Sequence, residues 1–342
     1  MPETPTRTLK ETGTPARQAS APSGESRWAT RSVGGIGGLL IRWSNIWALA
    51  LLFVVSALIS PHFLGVTNIF NVLRGASMVG IVSIGMTFVI LNRGIDLSVG
   101  SILGISAVLG AGMAQQGIGF VLPVCLVAGT FLGLVNGLII TKLRLQPFIA
   151  TLGTLIFVRG IVYIYTSGSI IVVQNPSDSF NFLGSGRIGP VPVPVILFVL
   201  VWGLAAYVLT RTVYGREVYA VGANEEAARL SGINVQRNKV LVYCMSGFLA
   251  SLAGVVLLSR LSAGEPNAGT LYELDGIAAT LIGGTAFEGG IGGVHGTIAG
   301  VLILAFLGNI LNLTNVSPYT QMLLKGVIIV LAVVVSELKN RR

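Results

Sequence analysis

GREVYAVGANEEAARLSGINV, residues 215–235, is a polar and charged stretch in a half of the chain that is otherwise almost unbroken apolar sequence. Asn224 can cap a helix, because its side-chain oxygen can accept from the free N–H groups of the first turn. Glu225 and Glu226 then lie where the helix dipole favours negative charge, and Gly232 can end the helix in the left-handed conformation. The pattern predicts a helix of about two turns, roughly 10 Å long. Such a helix is too short to be stable alone, so it is either an ordinary loop helix between two spans or a docking element.

The composition indicates an integral membrane protein. Of the 342 residues, 53% are hydrophobic and only 10% are charged, against about 25% charged residues in soluble domains. Repeated apolar runs predict several spans, and the 45 glycines suit close helix packing in lipid. The net charge of +9 is spread over tails and loops, which indicates membrane orientation and not nucleic-acid binding.

The N-terminal segment, residues 1–43, is rich in Pro, Thr, Ser, Gly and Arg and is expected to be a disordered tail. It lacks the early apolar region of a cleavable signal peptide. Its bases outnumber its acids, which places it on the cytoplasmic side. The bases are Arg7, Lys10, Arg17, Arg27, Arg31 and Arg42, against Glu3, Glu11 and Glu25.

Hydropathy predicts an all-α polytopic bundle of about ten transmembrane helices in residues 44–336, with both termini in the cytoplasm. The loop at 211–239 and a short tail at 337–342 then lie inside, and the loop at 166–190 lies outside. The predicted spans are Trp43–Ile59, Met78–Asn92, Val99–Met113, Ile118–Ile140, Phe148–Tyr165, Val193–Leu209, Val240–Leu258, Leu274–Phe287, Gly296–Leu313 and Met322–Val335.

Two of these spans, Val99–Met113 and Leu274–Phe287, are shorter than the roughly 20 residues that a bilayer requires. Both adjoin glycine-rich junctions, at 94–104 and 290–300, whose Gly-Ile and Gly-x-Ile patterns match in register. Broken segments in corresponding positions of two halves predict a transport path between them. An internal repeat, parallel or inverted, and chance similarity in glycine-rich sequence both remain open.

The motif Glu226-Ala227-Ala228 followed by Gly232 resembles the cytoplasmic loop of ABC-transporter permeases, and more narrowly that of the ribose/xylose/arabinose-type importers. The stretches at 94–101, 146–152 and 272–279 resemble the same family, and the likeness covers residues 45–336. An Ile-x-Leu-Pro ending, present in other importer permeases, is missing after Gly232.

The resemblance implies a transport subunit in the cytoplasmic membrane of a bacterium that carries a monosaccharide by alternating access and has no cofactor of its own. It implies three protein partners: a separate ABC ATPase that receives the loop 224–232, an extracytoplasmic sugar-binding protein, and a second permease, identical or not. An ion-coupled secondary transporter or channel for a small polar solute is the alternative.

Polar residues in or beside the spans are candidates for the substrate path. An acid at membrane depth is costly and often functional, but Asp96 can equally cap the helix that follows or pair with Arg93. The uncharged groups suit a polyol or, alternatively, join helices. The candidates are Asp96, Ser98, Gly100, Ser101, Asn136, Gln146, Thr151, Gly296, Asn309, Asn312 and Gln321.

The sequence also argues against an enzyme. No G-x-x-x-x-G-K-[ST] phosphate loop is present, so ATP hydrolysis is expected on another chain. The two histidines, His62 and His295, are far apart in the sequence, and Cys125 and Cys244 both lie inside apolar spans. We therefore expect no metal site and no disulfide.

Overall fold

The computed structural model describes residues 44–340, so the predicted tail at 1–43 lies outside the described residues, as do residues 341–342. The first half contains α1 (Ser44–Ile59), α2 (Val66–Leu91), α3 (Val99–Gly112), a 3₁₀ turn (Ala114–Gln116), α4 (Ile118–Lys142) and α5 (Pro147–Thr166). Next come β1 (Ile171–Val172), α6 (Asp178–Ser185), β2 (Arg187–Ile188), β3 (Val191–Pro192) and α7 (Val193–Arg211). The last part contains α8 (Val213–Ala223), α9 (Glu225–Leu230), α10 (Val235–Leu261), β4 (Ala263–Gly264), α11 (Tyr272–Ile282), α12 (Val294–Leu313) and α13 (Pro318–Asn340).

Each predicted span overlaps a helix, and the all-helical fold is confirmed. Among residues 44–340, however, only six helices are long and apolar enough to cross a membrane: α2, α4, α5, α7, α10 and α12. The count of about ten spans is therefore not confirmed. The last predicted span and part of the predicted tail at 337–342 form one helix, α13, which continues to Asn340.

Two long helices, α2 and α10, form the centre of the bundle. The apolar window of α2 is 78% buried and that of α10 is 67% buried, against 22% for α4 and α7. Helix α10 packs against α2, α3 and α4, while α2 also packs against α7, α11 and α12. Together with the shorter helix α3, which is buried along almost its whole length, these two helices form the core that the other helices surround.

Small residues allow α4 and α10 to approach closely. Gly129, Gly133 and Gly137 lie four residues apart on α4 and face α10. A Cβ atom on Gly133 would overlap the carbonyl oxygen of Tyr243, and one on Gly129 would overlap that of Gly247. This is the small-residue packing that membrane helices use when apolar burial gives no net driving force.

The Gly133→Leu variant is expected to lower the free energy of unfolding by about 1–3 kcal/mol. The added side chain would overlap the backbone of α10 at Tyr243, which cannot move away without shifting the helix. The control is Gly119→Leu on the same helix, where an added Cβ meets no atom within 4 Å. The measurement is the melting temperature of the detergent-purified protein. Equal melting temperatures for the two variants would contradict this packing.

The 166–190 loop is folded onto the end of α10. Strand β1 pairs with β4 through Ile171 and Gly264, and β2 pairs with β3. The backbone N–H of Gly184 in α6 donates to Ser259 Oγ at 2.7 Å. These contacts hold the 166–190 loop against the C-terminal end of α10.

The internal repeat is not confirmed. Gly290 adopts the left-handed φ of +72°, whereas in the other junction the positive φ falls on Arg93 and not on Gly94. The helices that follow also differ, with 14 residues in α3 and 20 in α12.

Candidate functional site

Helix α9 has the ends that its sequence predicts. Asn224 Oδ1 accepts from the N–H groups of Glu226 and Ala227 at 3.1 and 3.0 Å. Gly232 has a φ of +85°, its N–H donates to Arg229 O, and the N–H of Ile233 donates to Ala228 O at 3.1 Å. This pair of bonds is the Schellman motif, which satisfies carbonyl groups at a helix end. The predicted cap and glycine terminator are confirmed.

The two acids of α9 have different surroundings. Glu225 Oε2 accepts from Lys239 Nζ at 2.7 Å, while Glu226 contacts Arg229 at 3.3 Å and its side chain is 69% exposed. Ion pairs this exposed contribute about 0–1 kcal/mol. Glu226 can therefore leave Arg229 for a partner at little cost, whereas Glu225 holds α9 against α10.

The two alanines also face different ways. Ala228 is buried among Val221 and Val235 of this chain, so its small size serves internal packing. Ala227 is on the exposed side of the helix. Leu230 was not a candidate from the sequence, yet its side chain is 81% exposed at the end of α9. The sequence feature that could have identified Leu230 is a large apolar residue at the end of a short loop helix.

A junction connects the α8–α9 loop to the end of α2. Arg93 donates to the carbonyl oxygens of Glu288 and Ala223, both at 2.8 Å, and the Gly290 N–H donates to Leu91 O at 2.9 Å. A Cβ atom on Gly222 would overlap Leu91 O, so the backbones of α8 and α2 are in direct contact. We call these residues (Leu91, Arg93, Gly222, Ala223 and Gly290) the α2–α8 junction.

Tyr219 adds a further contact between α8 and the loop that follows α11. Its hydroxyl donates to Gly292 O at 2.9 Å. Burial raises the pKa of the phenol, so the hydroxyl keeps its proton and remains a donor at neutral pH.

Asp96 is fully buried and lies in a hydrogen-bond network. Its Oδ1 accepts from the backbone N–H of Ser98 at 3.0 Å and from Ser98 Oγ, and its Oδ2 accepts from Ser246 Oγ at 2.7 Å. These bonds hold the turn just before α3, but the N-cap of α3 is Ser98 and no side chain caps it, so the expected capping by Asp96 is not confirmed. The pairing with Arg93 is wrong, because Arg93 bonds to residues of the junction. Asn136 extends the network by donating to Ser98 Oγ at 2.8 Å and accepting from Thr154 at 2.6 Å.

Other predicted path residues lie in close packing. Gly100 lies against Gly269 O and Glu273, and Gly296 lies against Gly283 O. Thr151 donates to Pro147 O at 2.9 Å, and Ser101 donates to Ser98 O at 2.9 Å. The two glycines therefore pack against other elements, whereas these bonds of Ser101 and Thr151 lie within or just before their own helices.

Gln146 is exposed at the start of α5. It lines a cleft of about 770 Å³, with Arg144, Glu225, Arg229 and Lys239, beside α9. The remaining candidates, Asn309, Asn312 and Gln321, lie together around a different cavity, formed by α2, α11, α12 and α13. The structure therefore does not bring the sequence candidates together into one site.

Comparison with known proteins gives a consistent set of relatives. The family described as "Branched-chain amino acid transport system / permease component" matches residues 68–333. The ribose import permease protein RbsC of Haemophilus influenzae is 46% identical over 302 residues, covering 87% of this chain and 94% of the relative. The RbsC protein of Escherichia coli K12 is 44% identical over 306 residues, 88% of this chain and 95% of the relative.

A more distant relative is the L-arabinose transport system permease protein AraH of Escherichia coli K12. It is 33% identical over 321 residues, covering 92% of this chain and 95% of the relative. No solved structure matches the chain.

Proposed function

This chain belongs to the family of branched-chain amino acid transport system permease components, and we propose that it is the permease of an ATP-driven importer that carries ribose or a similar monosaccharide. The proposal rests on sequence identity, which is higher between this chain and a ribose import permease than between this chain and an arabinose permease. The chain is a transport subunit and not an enzyme. ATP is hydrolysed on a partner ATPase.

Helix α9 is the contact through which the ATPase acts. A helix of six residues offers little surface, so a few residues must carry the contact, as at most protein interfaces. Leu230 supplies an exposed apolar anchor, Glu226 supplies a carboxylate for a basic group, and Ala227 lets the helix approach closely. The fixed ends at Asn224 and Gly232 hold these groups in place.

The α2–α8 junction passes the movement of α9 to the bundle. Closure of two ATPases moves α9 and α8, and the contacts of Leu91, Arg93 and Gly290 transmit that movement to the end of α2. Helix α2 has 26 residues, about 39 Å of rigid helix. Movement at one end therefore tilts the whole core helix, which is the step that alternating access requires.

The complete importer contains two permease copies, two ATPases and an extracytoplasmic sugar-binding protein in the cytoplasmic membrane. Both termini and α9 lie in the cytoplasm. The cleft beside α9 carries Arg144, Arg229 and Lys239, while the 166–190 loop carries only Arg187. This bias supports the orientation through the positive-inside rule.

Cysteine labelling tests the orientation in a variant whose Cys125 and Cys244 are replaced by alanine. A membrane-impermeant thiol reagent is expected to modify Asp178→Cys in intact cells and Glu226→Cys only after the cells are opened. Labelling of both positions, or of position 226 alone, in intact cells would show that the orientation is wrong.

Competition between sugars tests the substrate. Cells that express this chain with its ATPase and binding protein are expected to take up labelled ribose, and unlabelled ribose should compete better than L-arabinose. Stronger competition by L-arabinose would overturn the assignment to ribose while leaving the transporter class intact.

A further inference from the structure

A cavity of about 370 Å³ opens between α2, α11, α12 and α13. Its volume is at the lower end of the range of small-ligand pockets, about 300–1,000 Å³. Six polar side chains line it, and we call it the amide cavity after the four amides among them. They are Asn71, Asp275, Asn309, Asn312, Gln321 and Lys325.

The amide cavity lies in the half of the bundle that is remote from α9. The residues of α2 that line the cavity lie between Asn71 and Val79, whereas the α2–α8 junction is at Leu91. The centre of this stretch is about 24 Å along the helix from Leu91 at 1.5 Å per residue. In the proposed orientation, the cavity is therefore in the extracytoplasmic half.

Some of its polar groups already have partners. Asn309 and Asn68 exchange two hydrogen bonds, at 2.8 and 3.0 Å, and Gln321 Nε2 donates to Asn312 Oδ1 at 2.8 Å. Lys325 Nζ contacts both carboxylate oxygens of Asp275 at 3.0 Å. These contacts hold the side chains in defined positions.

Other polar groups that line the cavity have no hydrogen-bond partner within the described residues. Within residues 44–340, the side-chain amide of Asn71 has no hydrogen bond, and neither do Asn312 Nδ2 and Gln321 Oε1. Lys325 also keeps donor capacity beyond its bonds to Asp275. The cavity thus offers several donors and at least two acceptors to a ligand.

The lining excludes lipid as the natural occupant. Charged and amide side chains at membrane depth are costly against hydrocarbon, and Asp275 and Lys325 remain beside the cavity. Their charges cancel, so the cavity does not favour an ion of either sign. A neutral ligand with many hydroxyls fits best, since each hydroxyl both donates and accepts. Val72, Val301 and Leu304 supply an apolar wall for the C–H face of such a ligand.

We propose that the amide cavity is a sugar-binding site, which receives the monosaccharide from the binding protein before the path opens to the cytoplasm. This inference rests on the proposed function. Asn71, Asn312 and Gln321 contact hydroxyls, and the Asp275–Lys325 pair contacts the sugar while linking α11 to α13. Binding is weak, because the binding protein supplies most of the affinity of the importer.

Protection from labelling tests occupancy directly in the assembled importer. Gly308 lines the cavity and has open space around it, so Gly308→Cys adds a thiol without removing a polar group. In the variant without Cys125 and Cys244, ribose is expected to slow the reaction of this thiol with a small water-soluble reagent severalfold and saturably. Ribose should leave the labelling of Asp178→Cys unchanged.

Two results would overturn the proposal. The first is a Gly308 thiol whose labelling is indifferent to ribose while ribose uptake by the same importer proceeds. The second is a thiol that does not react in the folded complex, which would show that a second copy of the chain covers the cavity.

Transport by substituted importers tests the polar contacts. Asn71→Leu and Asn312→Leu are expected to lower ribose uptake at limiting sugar about tenfold each, the scale of one lost hydrogen bond. The matched control is Gln116→Leu, an exposed side chain outside the cavity.

The outcomes distinguish failure of the sugar site from failure of the importer assignment. Uptake at the control level in both cavity variants would overturn the sugar site and leave the importer assignment standing. No uptake of any sugar by the complete unmodified importer would instead overturn the proposed function.

Discussion

Replacing Gly232 with valine is expected to abolish sugar-stimulated ATP hydrolysis by the assembled importer. Gly232 has a φ of +85°, which a β-branched residue adopts only with strain of about 1–3 kcal/mol. The strain weakens the two backbone hydrogen bonds that end α9, and a helix of six residues is too short to keep its conformation without them. Because no span is altered, the variant should still enter the membrane.

The matched control is Gly232→Asn, since asparagine tolerates the left-handed conformation far better than valine. It is expected to keep a much larger share of the stimulated activity. The measurements are co-purification of the ATPase and ATP turnover in reconstituted vesicles. Full assembly and turnover in Gly232→Val would show that α9 is not the docking element.

Charge reversal at Glu226 is expected to act on the same contact by another route. Glu226→Lys would place two like charges together where a partner base is proposed, whereas Glu226→Gln removes only the charge. The reversal should therefore weaken ATPase binding more than the neutral change does. Equal binding by both variants would indicate that Glu226 contacts no base.

Replacing Asp96 with alanine is expected to have the largest effect on stability. The change leaves the Ser98 N–H and the hydroxyls of Ser98 and Ser246 without their acceptor in a fully buried site. Each buried unsatisfied group costs about 1–3 kcal/mol, so the melting temperature of the purified protein should fall strongly.

The isosteric Asp96→Asn variant separates two roles for this residue. Its side-chain oxygen can still accept from both groups of Ser98, while its NH₂ group can donate to Ser246 Oγ. It should therefore lose less stability than Asp96→Ala and retain ATP-driven uptake. Loss of uptake in a stable Asp96→Asn protein would favour the ion-coupled alternative, in which the charge itself is needed.

Local features of the site could be predicted from the sequence, because they depend on residues close together in the chain. The Asn224 cap and the Gly232 terminator are examples, and apolar runs located the helices in the same way. The number of spans could not be predicted as reliably, since helices such as α11, with 11 residues, are apolar without being long enough to cross.

Long-range contacts could not be read from the sequence. The Asp96–Ser246 bond joins residues 150 positions apart, and the Asp275–Lys325 pair joins residues 50 positions apart. Gly100 and Gly296 show a related limit, because a sequence cannot tell a glycine that lines a path from one that packs against backbone. The predicted path between their junctions remains a prediction, and both glycines lie in close packing in this conformation.

Ribose uptake into sealed vesicles that contain this chain, its ATPase and the binding protein distinguishes an ATP-driven importer from an ion-coupled transporter. Uptake is expected to require ATP on the cytoplasmic side, to persist when ion gradients are dissipated and to disappear with Gly232→Val. Uptake without ATP that follows an imposed ion gradient would contradict an ATP-driven importer.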